Sequence, residues 1–388
     1  MSTSTRRVTI RRRAPAAAGP FARAIRKQFD LAPRSTRLAI DVALPAAGGD
    51  WQIGAIVGNS GSGKSQILQA AFPHALAPQR PWPADRAIVD CLGLATVEEA
   101  ARLLSAVGLG SVPAWTRPFH ALSGGEQFRA ELARSLASQP MHEQPHKQQE
   151  DGGGVPGLLA KGNEHAANVL VAIDEFTSCL DRVVARSACV ALARYVRRAP
   201  GRQLVVASCH ADVLAWLAPD WTLRMPAGSL STERPPPPRL RWSLVERAAH
   251  LWPRFAQHHY LAGTLHAASR CYAALVAGRP AAFCATLTNL GHAGCRRVTR
   301  LVAHPDYQGL GLGQALLDAV AAREAAGGAR ISIVTAHPAL VARLGASPRW
   351  TLRYTRGTPH AHRFGGGRLP CAGRRKIASF LWIGKNSQ

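Results

Sequence analysis

Two stretches of the chain show the alternation of strands and helices that is typical of α/β folds. Residues 35–225 alternate short apolar runs, such as Ile53 to Val57, with amphipathic stretches. This pattern predicts a mostly parallel sheet with helices packed on it. Residues from about 240 to 365 predict a second α/β unit, in which 295–303 form a strand and an amphipathic helix follows.

Other segments lack this periodicity and predict connections. Residues 1–34 form a basic arm that we expect to be mobile at its start. Residues 139–166 are polar and glycine-rich, which predicts a disordered surface insertion. Pro235 to Pro238 predict a stiff extended linker. No apolar run reaches the roughly 18–20 residues that a membrane helix needs, so no membrane partner is expected.

A glycine-rich turn between Val57 and a helix-like stretch from Gln66 fits the phosphate-binding pattern GxxxxGK[ST] in its strand–loop–helix context. Glycines let backbone N–H groups approach phosphates, and the helix N-terminus adds positive potential. The alternative is a chance glycine-rich turn. We predict that Lys64 reaches the β- and γ-phosphates of ATP and that Ser65 ligates Mg²⁺. The predicted nucleotide-binding residues are Gly58, Asn59, Ser60, Gly61, Ser62, Gly63, Lys64 and Ser65.

Two acidic residues follow the apolar run that begins at Asn168. Ligands of parallel sheets bind at the carboxyl ends of the strands. Asp174 is therefore predicted to hold Mg²⁺ through water, and Glu175 to position or polarise the attacking water. This pattern is weak alone and gains weight because it follows a phosphate-binding loop.

The segment 122–127 reads Leu-Ser-Gly-Gly-Glu-Gln and opens a helix-like run. Ser123 is a good N-cap, and two glycines leave backbone N–H groups accessible to an anion. The segment closely resembles the signature sequence of the ABC ATPases. In that family it binds the γ-phosphate of a nucleotide held by the partner subunit. The resemblance therefore implies that Ser123, Gly124 and Gly125 bind ATP on another copy of the chain.

Further matches to the ABC family follow in family order. Residues 178–181 (Ser-Cys-Leu-Asp) resemble the D-loop, and His210 resembles the switch histidine, for which we predict a catalytic role. There are departures from the family pattern. Gln79 is only a weak candidate for the Q-loop glutamine, and the short stretch from Lys64 to Ser123 predicts a trimmed helical subdomain, which puts coupling to a transporter in doubt. Phe29 is interpreted either as stacking on adenine or as a core aromatic.

One chain supplies one phosphate-binding loop and one signature segment. If both work, each ATP is sandwiched between two copies, so the resemblance implies an ATP-dependent homodimer. ATP binding then closes the dimer and hydrolysis opens it, which is a switch driven by the γ-phosphate.

A second glycine-rich turn joins the predicted strand 295–303 to the amphipathic helix. It is typical of an anion-binding loop, a nucleotide loop or an ordinary tight turn. In this context it resembles motif A of the GNAT acyltransferases, whose backbone binds the pyrophosphate of acetyl-CoA. The resemblance covers about 260–355 and implies an acetyl-CoA site at Gln308, Gly309, Gly311 and Gly313.

The catalytic residues of this second unit are less defined. GNAT chemistry needs a base for the amine and an acid for the thiolate, and a packing, surface or capping role is at least as consistent for every candidate. His258 and His259 are also considered as metal ligands, but no third ligand stands at a typical spacing. The candidates are Tyr260, His259, Asp306, Tyr307 and His337.

The charge bears on the acceptor. The net charge is +25, of which +8 lies in 1–34, +1 in 35–240 and +16 in 241–388. Such a field attracts polyanions, most commonly nucleic acid. A GC-rich genome is the alternative explanation, but it accounts for Arg in place of Lys and not for the shortage of acids.

A distant similarity to the Mom group of phage DNA-modifying acyltransferase-like proteins also bears on the acceptor. It is carried by residues 258–261, 335–338 and 347–350.

The predicted organisation is a basic arm (1–34), an ABC ATPase domain (35–230), a Pro-rich linker (231–240), a GNAT-like domain (241–365) and a basic tail (366–388). Eight scattered cysteines without a CxxC pair favour a reducing cytoplasm, although the arm is also compatible with a transit peptide.

The leading hypothesis is an ATP-driven acyltransferase that acts on nucleic acid. The alternatives are a protein or small-amine acetyltransferase regulated by the ATPase, a non-enzymatic nucleic-acid clamp and an importer ATPase.

Overall fold

The computed structural model describes residues 5–15, 18–32, 35–76, 80–137, 169–236, 240–259, 264–289, 292–358 and 375–384. The predicted insertion 139–166, Gln79 and Tyr260 lie outside the described residues. The chain divides into two compact units. Unit 1 comprises Met1–Gln79, Ser138–Cys179 and Tyr195–Pro238, and unit 2 comprises Arg80–Ala137, Leu180–Arg194 and Arg239–Gln388. The predicted domain boundaries follow chain order and these units do not, so the boundaries remain a prediction.

The strands are β1 (Thr5–Ala14), β2 (Thr36–Pro45), β3 (Ile53–Val57), β4 (Val169–Ile173), β5 (Arg202–Ser208), β6 (Trp221–Arg224), β7 (Ser229–Ser231), β8 (Ser243–Glu246), β9 (Arg270–Val276), β10 (Arg279–Thr288), β11 (Cys295–Ala303), β12 (Arg330–Thr335), β13 (Trp350–Thr358) and β14 (Arg375–Trp382). The helices are α1 (Pro20–Gln28), α2 (Lys64–Ala71), α3 (Val97–Ala106), α4 (Val112–Trp115), α5 (Gly124–Ala137), α6 (Arg182–Arg197), α7 (Val213–Leu217), α8 (Trp252–Ala256), α9 (Leu312–Ala326) and α10 (Pro338–Gly345).

The main sheet of unit 1 has the strand order β4-β5-β3-β6-β7 among the described residues. Its first four strands are parallel, and β7 is antiparallel to β6. The central strand β3 is buried along its whole length, which explains its uninterrupted apolar sequence. Because β3, β4 and β5 are parallel neighbours, the loops that follow them emerge at the same edge of the sheet.

The arm predicted to be mobile at its start contains a strand of the unit 1 core. β1 pairs antiparallel with β2 along its whole length. Val8 and Ile10 alternate with exposed residues, and both are buried in a cluster that includes Ile67 and Trp221. The many arginines of this segment indicated an arm, but all of them are exposed, and the two apolar residues at period two carry the packing.

The sheet of unit 2 has the order β13-β14-β12-β11-β10-β9-β8 in the described part of the chain. Only the β11–β12 pair is parallel. β14 lies between β12 and β13, so part of the predicted basic tail is an inner strand. Ala378, Ser379 and Phe380 are all buried there. The sequence interpretation passed over the mostly apolar run that begins at Ile377, because three basic residues precede it.

β11 and β12 separate where they approach their carboxyl ends. Their pairing ends at Val298 and Ile333, although β11 continues to Ala303 and β12 to Thr335. A β-bulge at Thr299 shifts the register of β11 against β10 at the same point. Bulges bend a strand and terminate pairing, and here the result is a wedge-shaped opening between two neighbouring strands.

A buried carboxylate ties α9 to the sheet of unit 2. Glu324 is 2% exposed and accepts hydrogen bonds from Tyr272 and Thr286 at 3.0 and 2.8 Å. Arg296 and Arg270 form ion pairs with it at 3.1 and 2.8 Å. Burial alone would raise the pKa of Glu324, but these hydrogen bonds and positive charges lower it below its usual value. The same carboxylate and burial raise the pKa of Tyr272 to about 12.

Candidate functional sites

The phosphate-binding loop lies where β3 ends and α2 begins. Gly63 has a φ of +89°, and a Cβ there would lie 2.5 Å from Ile40. A Cβ at Gly58 would lie 2.5 Å from the carbonyl oxygen of Met225. Both positions therefore require glycine for reasons internal to the fold. Gly61 also has a positive φ, of +76°, but a Cβ there would meet no protein atom within 4 Å.

This loop presents several unused donors. Within the described residues, the N–H groups of Gly61, Gly63, Lys64 and Ser65 have no intramolecular acceptor. Lys64 lies over the loop, with Nζ 2.7 Å from the carbonyl oxygen of Asn59. The Ser62 hydroxyl is buried without a partner. Consecutive free N–H groups at a helix N-terminus form an anion site, so this geometry fits a bound triphosphate.

Asp174 and Glu175 emerge at the carboxyl end of β4, and both are exposed. The N–H of Glu175 donates to Oδ1 of Asp174 at 2.9 Å. Glu175 and Thr177 both have left-handed backbone, with φ of +47° and +65°. Each such residue costs of order 1–3 kcal/mol and persists only where its surroundings impose it. The backbone here aims two adjacent carboxylates into solvent.

Ser208, the last residue of β5, connects the loops around this edge of the sheet. Its hydroxyl donates to the carbonyl of Phe176 at 2.9 Å and accepts from the N–H of His210 at 3.1 Å. Its own carbonyl accepts from the N–H of Gly58 at 3.3 Å. One fully buried residue thus joins the phosphate loop, the segment after Glu175 and the predicted switch histidine.

The signature segment in unit 2 has the predicted cap. The hydroxyl of Ser123 accepts from the N–H of Glu126 at 3.4 Å, and the Glu126 carboxylate accepts from the N–H of Ser123 at 2.9 Å. This reciprocal pair is a capping box. A Cβ at Gly125 would meet Val184 at 2.9 Å, whereas a Cβ at Gly124 would meet nothing within 4 Å. Gly125 is therefore required by packing, and the space at Gly124 is open.

Two other nucleotide-site predictions have different outcomes. Asp181 of the D-loop-like segment accepts from the N–H groups of Val183 and Val184 at 2.9 and 3.1 Å. It therefore caps α6. Phe29 is 63% exposed, so the core alternative is wrong, and stacking on adenine remains a prediction.

The second glycine-rich loop precedes α9 in unit 2. Gly309 and Gly311 have φ of +83° and +78°. In the described chain, the N–H groups of Gly309 to Gln314 have no protein acceptor. A Cβ at Gly309 would lie 2.4 Å from Ala191, whereas a Cβ at Gly313 would meet nothing within 4 Å. Free N–H groups at a helix N-terminus suit an anion, so the geometry of this loop fits a bound phosphate as well.

The side chain of Gln308 has a role that its position in the motif did not predict. It is buried, and its Nε2 donates to the carbonyl of Ala303 at 3.0 Å. Its Oε1 accepts from the N–H of Gly110 at 2.6 Å. Both ends of the amide are engaged within the protein, and the backbone N–H of Gln308 donates to the carbonyl of Pro305 at 3.3 Å, so neither group is left for a ligand.

A cavity of about 220 Å³ lies at the wedge between β11 and β12 and reaches this loop. Of the predicted catalytic candidates, the structure brings His259, Tyr307 and His337 to its wall, together with His258, whereas Asp306 is not among the lining residues. Burial lowers the pKa of His258 and His337 and raises the pKa of Tyr307. At neutral pH the two imidazoles are therefore neutral and the phenol is protonated.

Among the described residues, four buried polar atoms without a partner lie on residues that line this cavity. They are Oγ of Ser105, Nε of Arg300, Oε1 of Gln314 and Nδ1 of His337. Buried polar groups are nearly always hydrogen-bonded in native proteins, so these atoms fit a polar ligand in the cavity. Among the described residues, no group of three or more His, Cys, Asp or Glu side chains is placed to hold a metal ion.

Comparison with known proteins decides the identity of the C-terminal part. Residues 235–343 match the family model described as the acetyltransferase (GNAT) family. The C-terminal part of the chain carries a GNAT-family domain. The N-terminal region is similar to the aliphatic sulfonates import ATP-binding protein SsuB 2 of Streptomyces avermitilis, with 36% identity over 132 residues, 28% of this chain and 50% of that protein. The match therefore spans about half the length of this curated relative.

Solved structures show the same two likenesses. The ribosomal-protein-S18-alanine N-acetyltransferase of Escherichia coli is 18% identical, with a TM-score of 0.27, and the match covers 38% of this chain and 97% of that one. The dimeric ATP-binding cassette MJ0796 in a post-hydrolysis state with ADP and Pi is 14% identical, with a TM-score of 0.36, and the match covers 51% of this chain and 93% of that one.

The sequence matches confirm the predicted fold class, an ABC-type ATPase region and a GNAT-family domain. No described helix is long and apolar enough to cross a bilayer.

Two parts of the sites escaped the sequence analysis. At Ser208 the sequence shows only the end of an apolar run, which does not predict the hydrogen bonds of its side chain. The turn at Gly108 to Val112, which contributes to the cavity of the GNAT-family domain, lies almost 200 residues before the loop that it contacts. Its glycines are the only local indication, because a contact between such distant segments leaves no periodic pattern.

Proposed function

We propose that this chain binds and hydrolyses ATP through its ABC-type region and transfers an acyl group from acyl-CoA through its GNAT-family domain. The observation that carries the first activity is the convergence on Ser208 of the phosphate loop, the Asp174–Glu175 segment and His210. The observation that carries the second activity is the set of free N–H groups in the α9 loop, which borders the opening between β11 and β12.

In the nucleotide site, the free N–H groups between Gly61 and Ser65 and the Lys64 ammonium hold the phosphates. Mg²⁺, when bound, neutralises charge on the β- and γ-phosphates, and Ser65 and Asp174 are the residues that hold it. Glu175 orients the attacking water, and its exposure at the strand end leaves it able to do so. His210 is held close to this edge through Ser208 and contacts the terminal phosphate.

The signature segment of another copy completes this site. The open space at Gly124 and the free N–H groups at the start of α5 suit a phosphate presented from outside the chain. We infer that ATP closes a homodimer and that hydrolysis releases it.

The test of this ATPase is Glu175→Gln in the full chain. We expect ATP turnover to fall by at least about 100-fold, since positioned acid–base groups contribute 10²–10⁴-fold, and we expect an ATP-bound dimer in light scattering. Wild-type protein with ADP is the control and should be monomeric. Equal turnover in the variant, or a monomer with ATP and magnesium, would refute this assignment.

In the GNAT-family domain, the backbone of Gly309 to Gly313 holds the pyrophosphate of acyl-CoA. The unpaired edges of β11 and β12 offer amide groups to the extended pantetheine arm in the wedge. His258 and His337 are neutral at pH 7 because burial lowers their pKa values, so either can accept the proton of an attacking amine. Tyr307, whose pKa burial raises, remains a proton donor for the departing thiolate.

The acceptor that we favour is nucleic acid. The supporting observation is charge: +16 of the net charge lies after position 240, and Arg353 and Arg356 on β13 are exposed. The test is binding of single- and double-stranded DNA and RNA across salt concentrations, followed by mass spectrometry of the modified nucleosides. Acyl transfer to peptides or small amines, with no salt-dependent binding to any of the polymers, would replace this acceptor.

A further inference from the structure

The acyl-CoA cavity has a wall that the GNAT-family domain does not supply. Ser105, Gly110 and Val112 line the same cavity as the α9 loop. They belong to the helical segment, residues 97–137, which runs from α3 to the signature helix α5. This segment and the GNAT-family domain fall in the same compact unit, and α10 packs directly on α3.

Gly110 joins the two sides of the cavity through its backbone. Its N–H donates to Oε1 of Gln308 at 2.6 Å, and its carbonyl oxygen lies 3.2 Å from Nε2 of His337. A carbonyl can only accept, so this contact places the imidazole proton on Nε2 and leaves Nδ1 as the acceptor atom. The preceding carbonyl, of Leu109, accepts from the buried indole of Trp115 at 2.7 Å. The turn is therefore fixed by hydrogen bonds on both sides.

A chain of close contacts continues from this turn to the signature helix. Arg129 of α5 is 1% exposed and donates to the hydroxyl of Ser187 at 2.8 Å. A Cβ at Gly108 would lie 3.4 Å from Nε of Arg129 and 3.1 Å from the carbonyl oxygen of Gln308. A Cβ at Gly309 would lie 3.1 Å from Cα of Gly108. A Cβ at Gly108 would thus touch both Arg129 and Gln308, so the turn lies closely packed between α5 and the α9 loop.

We propose that the turn Gly108–Val112 makes acyl-CoA binding dependent on the nucleotide held against the signature helix. The proposal rests on the proposed function, in which α5 contacts ATP on another copy. Packed interiors transmit small displacements because they have no room to absorb them. A shift of α5 on nucleotide binding therefore moves Arg129 against Gly108, and the Gly110 contacts pass this movement to Gln308 and His337.

The experiment is titration calorimetry of full-length Glu175→Gln protein with coenzyme A, without nucleotide, with ADP and with ATP. We expect the Kd for coenzyme A to differ between the ATP-bound and nucleotide-free states by at least about 5-fold, the lower end of typical coupling between sites. Equal Kd values in all three states would overturn the proposal and leave the two activities standing. Absence of coenzyme A binding in every state would instead overturn the acyl-CoA assignment, and the proposal with it.

Two variants test whether Arg129 and Gly108 form the route by which the nucleotide affects coenzyme A binding. Arg129→Met nearly keeps the side-chain volume, and the Ser187 hydroxyl that loses this donor still donates to the carbonyl of Val184 at 2.9 Å. Added to Glu175→Gln, it should retain ATP-driven dimerisation while the nucleotide effect on the Kd falls below about 2-fold, against the 5-fold coupling expected without it. Gly108→Ala, which presses on Gln308, should weaken coenzyme A binding without nucleotide. Gly93→Ala is its matched control, because its backbone is also left-handed, with φ of +67°, and its Cβ would meet nothing within 4 Å. Full nucleotide dependence in the Arg129 variant, or equal coenzyme A affinity in the two alanine variants, would exclude this route.

Discussion

Gly313→Ala separates binding at the α9 loop from the stability of the fold. Gly313 lies in the first turn of α9, and a Cβ there would contact no protein atom within 4 Å. The added methyl group therefore projects into the space that the proposed pyrophosphate occupies. Gly309→Ala is the contrasting change in the same loop, because its Cβ would lie 2.4 Å from Ala191 on a backbone with φ of +83°.

The two substitutions differ in their expected effect on stability. At Gly313, Ala replaces Gly within a helix, which is neutral or stabilising by up to about 1 kcal/mol. At Gly309, the left-handed backbone costs about 1–2 kcal/mol with a Cβ, and the clash adds about 1–3 kcal/mol of overpacking. Gly309→Ala should therefore lower the free energy of unfolding by about 2–5 kcal/mol, the sum of these two costs.

Denaturant unfolding and coenzyme A calorimetry on the full chain check this prediction. We expect Gly313→Ala to unfold like the wild type and to bind coenzyme A at least about 10-fold more weakly, equivalent to about 1.4 kcal/mol. Gly345→Ala, where a Cβ also meets nothing within 4 Å, is the control and should change neither quantity. If Gly313→Ala binds coenzyme A with wild-type affinity, the α9 loop is not the pyrophosphate site.

Three other predictions test the remaining interpretations. Gly124→Ala adds a Cβ that meets no atom of its own chain, so it should leave the unfolding curve unchanged and weaken ATP-driven dimerisation by at least about 10-fold, or 1.4 kcal/mol, in ultracentrifugation; unchanged dimerisation would place the nucleotide elsewhere. Ile10→Ala should cost about 2–4 kcal/mol of stability because Ile10 is in the core, whereas Arg13→Ala on the opposite, exposed face of β1 should change stability by less than about 0.5 kcal/mol; equal effects would contradict a core role for β1. Glu324→Gln leaves Arg296 buried without its partner and should cost about 3 kcal/mol at pH 7. Because the pKa of Glu324 is lowered in the folded state, this difference is full above the unfolded pKa of about 4.3 and should shrink as the pH falls through the folded value, which acid-dependent unfolding would reveal.

The sequence was most informative where a local pattern carries the chemistry. The phosphate-binding loop, the signature segment and the α9 loop each place glycines and a helix start within a few residues, and the structure has a helix beginning at Lys64, at Gly124 and at Leu312. The predicted strands 53–57 and 295–303 have the same bounds in the structure. The uninterrupted apolar run of 53–57 arises because a central parallel strand is buried on both faces.

The sequence interpretation was wrong for two strongly basic segments that form strands in the structure, β1 and β14. The arginines around Val8 and Ile10 indicated an arm, and those before Ile377 indicated a tail, yet both segments pair within sheets. In a strand, alternate residues face opposite sides, so a segment can be strongly basic on average and still bury one face. Composition averages the two faces, and only the pairing partner shows which face is inside.

The sequence by itself predicted the two candidate phosphate sites and their order, because the groups proposed to bind phosphate are backbone N–H groups whose geometry is set by a few neighbouring residues. Tertiary structure alone decided that Ser208 connects three loops of the nucleotide site and that Gly110 contacts Gln308 and His337. These contacts join residues far apart in the chain through single hydrogen bonds, and such bonds require only a donor and an acceptor at the right distance. In each of these bonds one partner is a backbone group, which almost any residue can supply, so the sequence does not indicate which residue makes the contact.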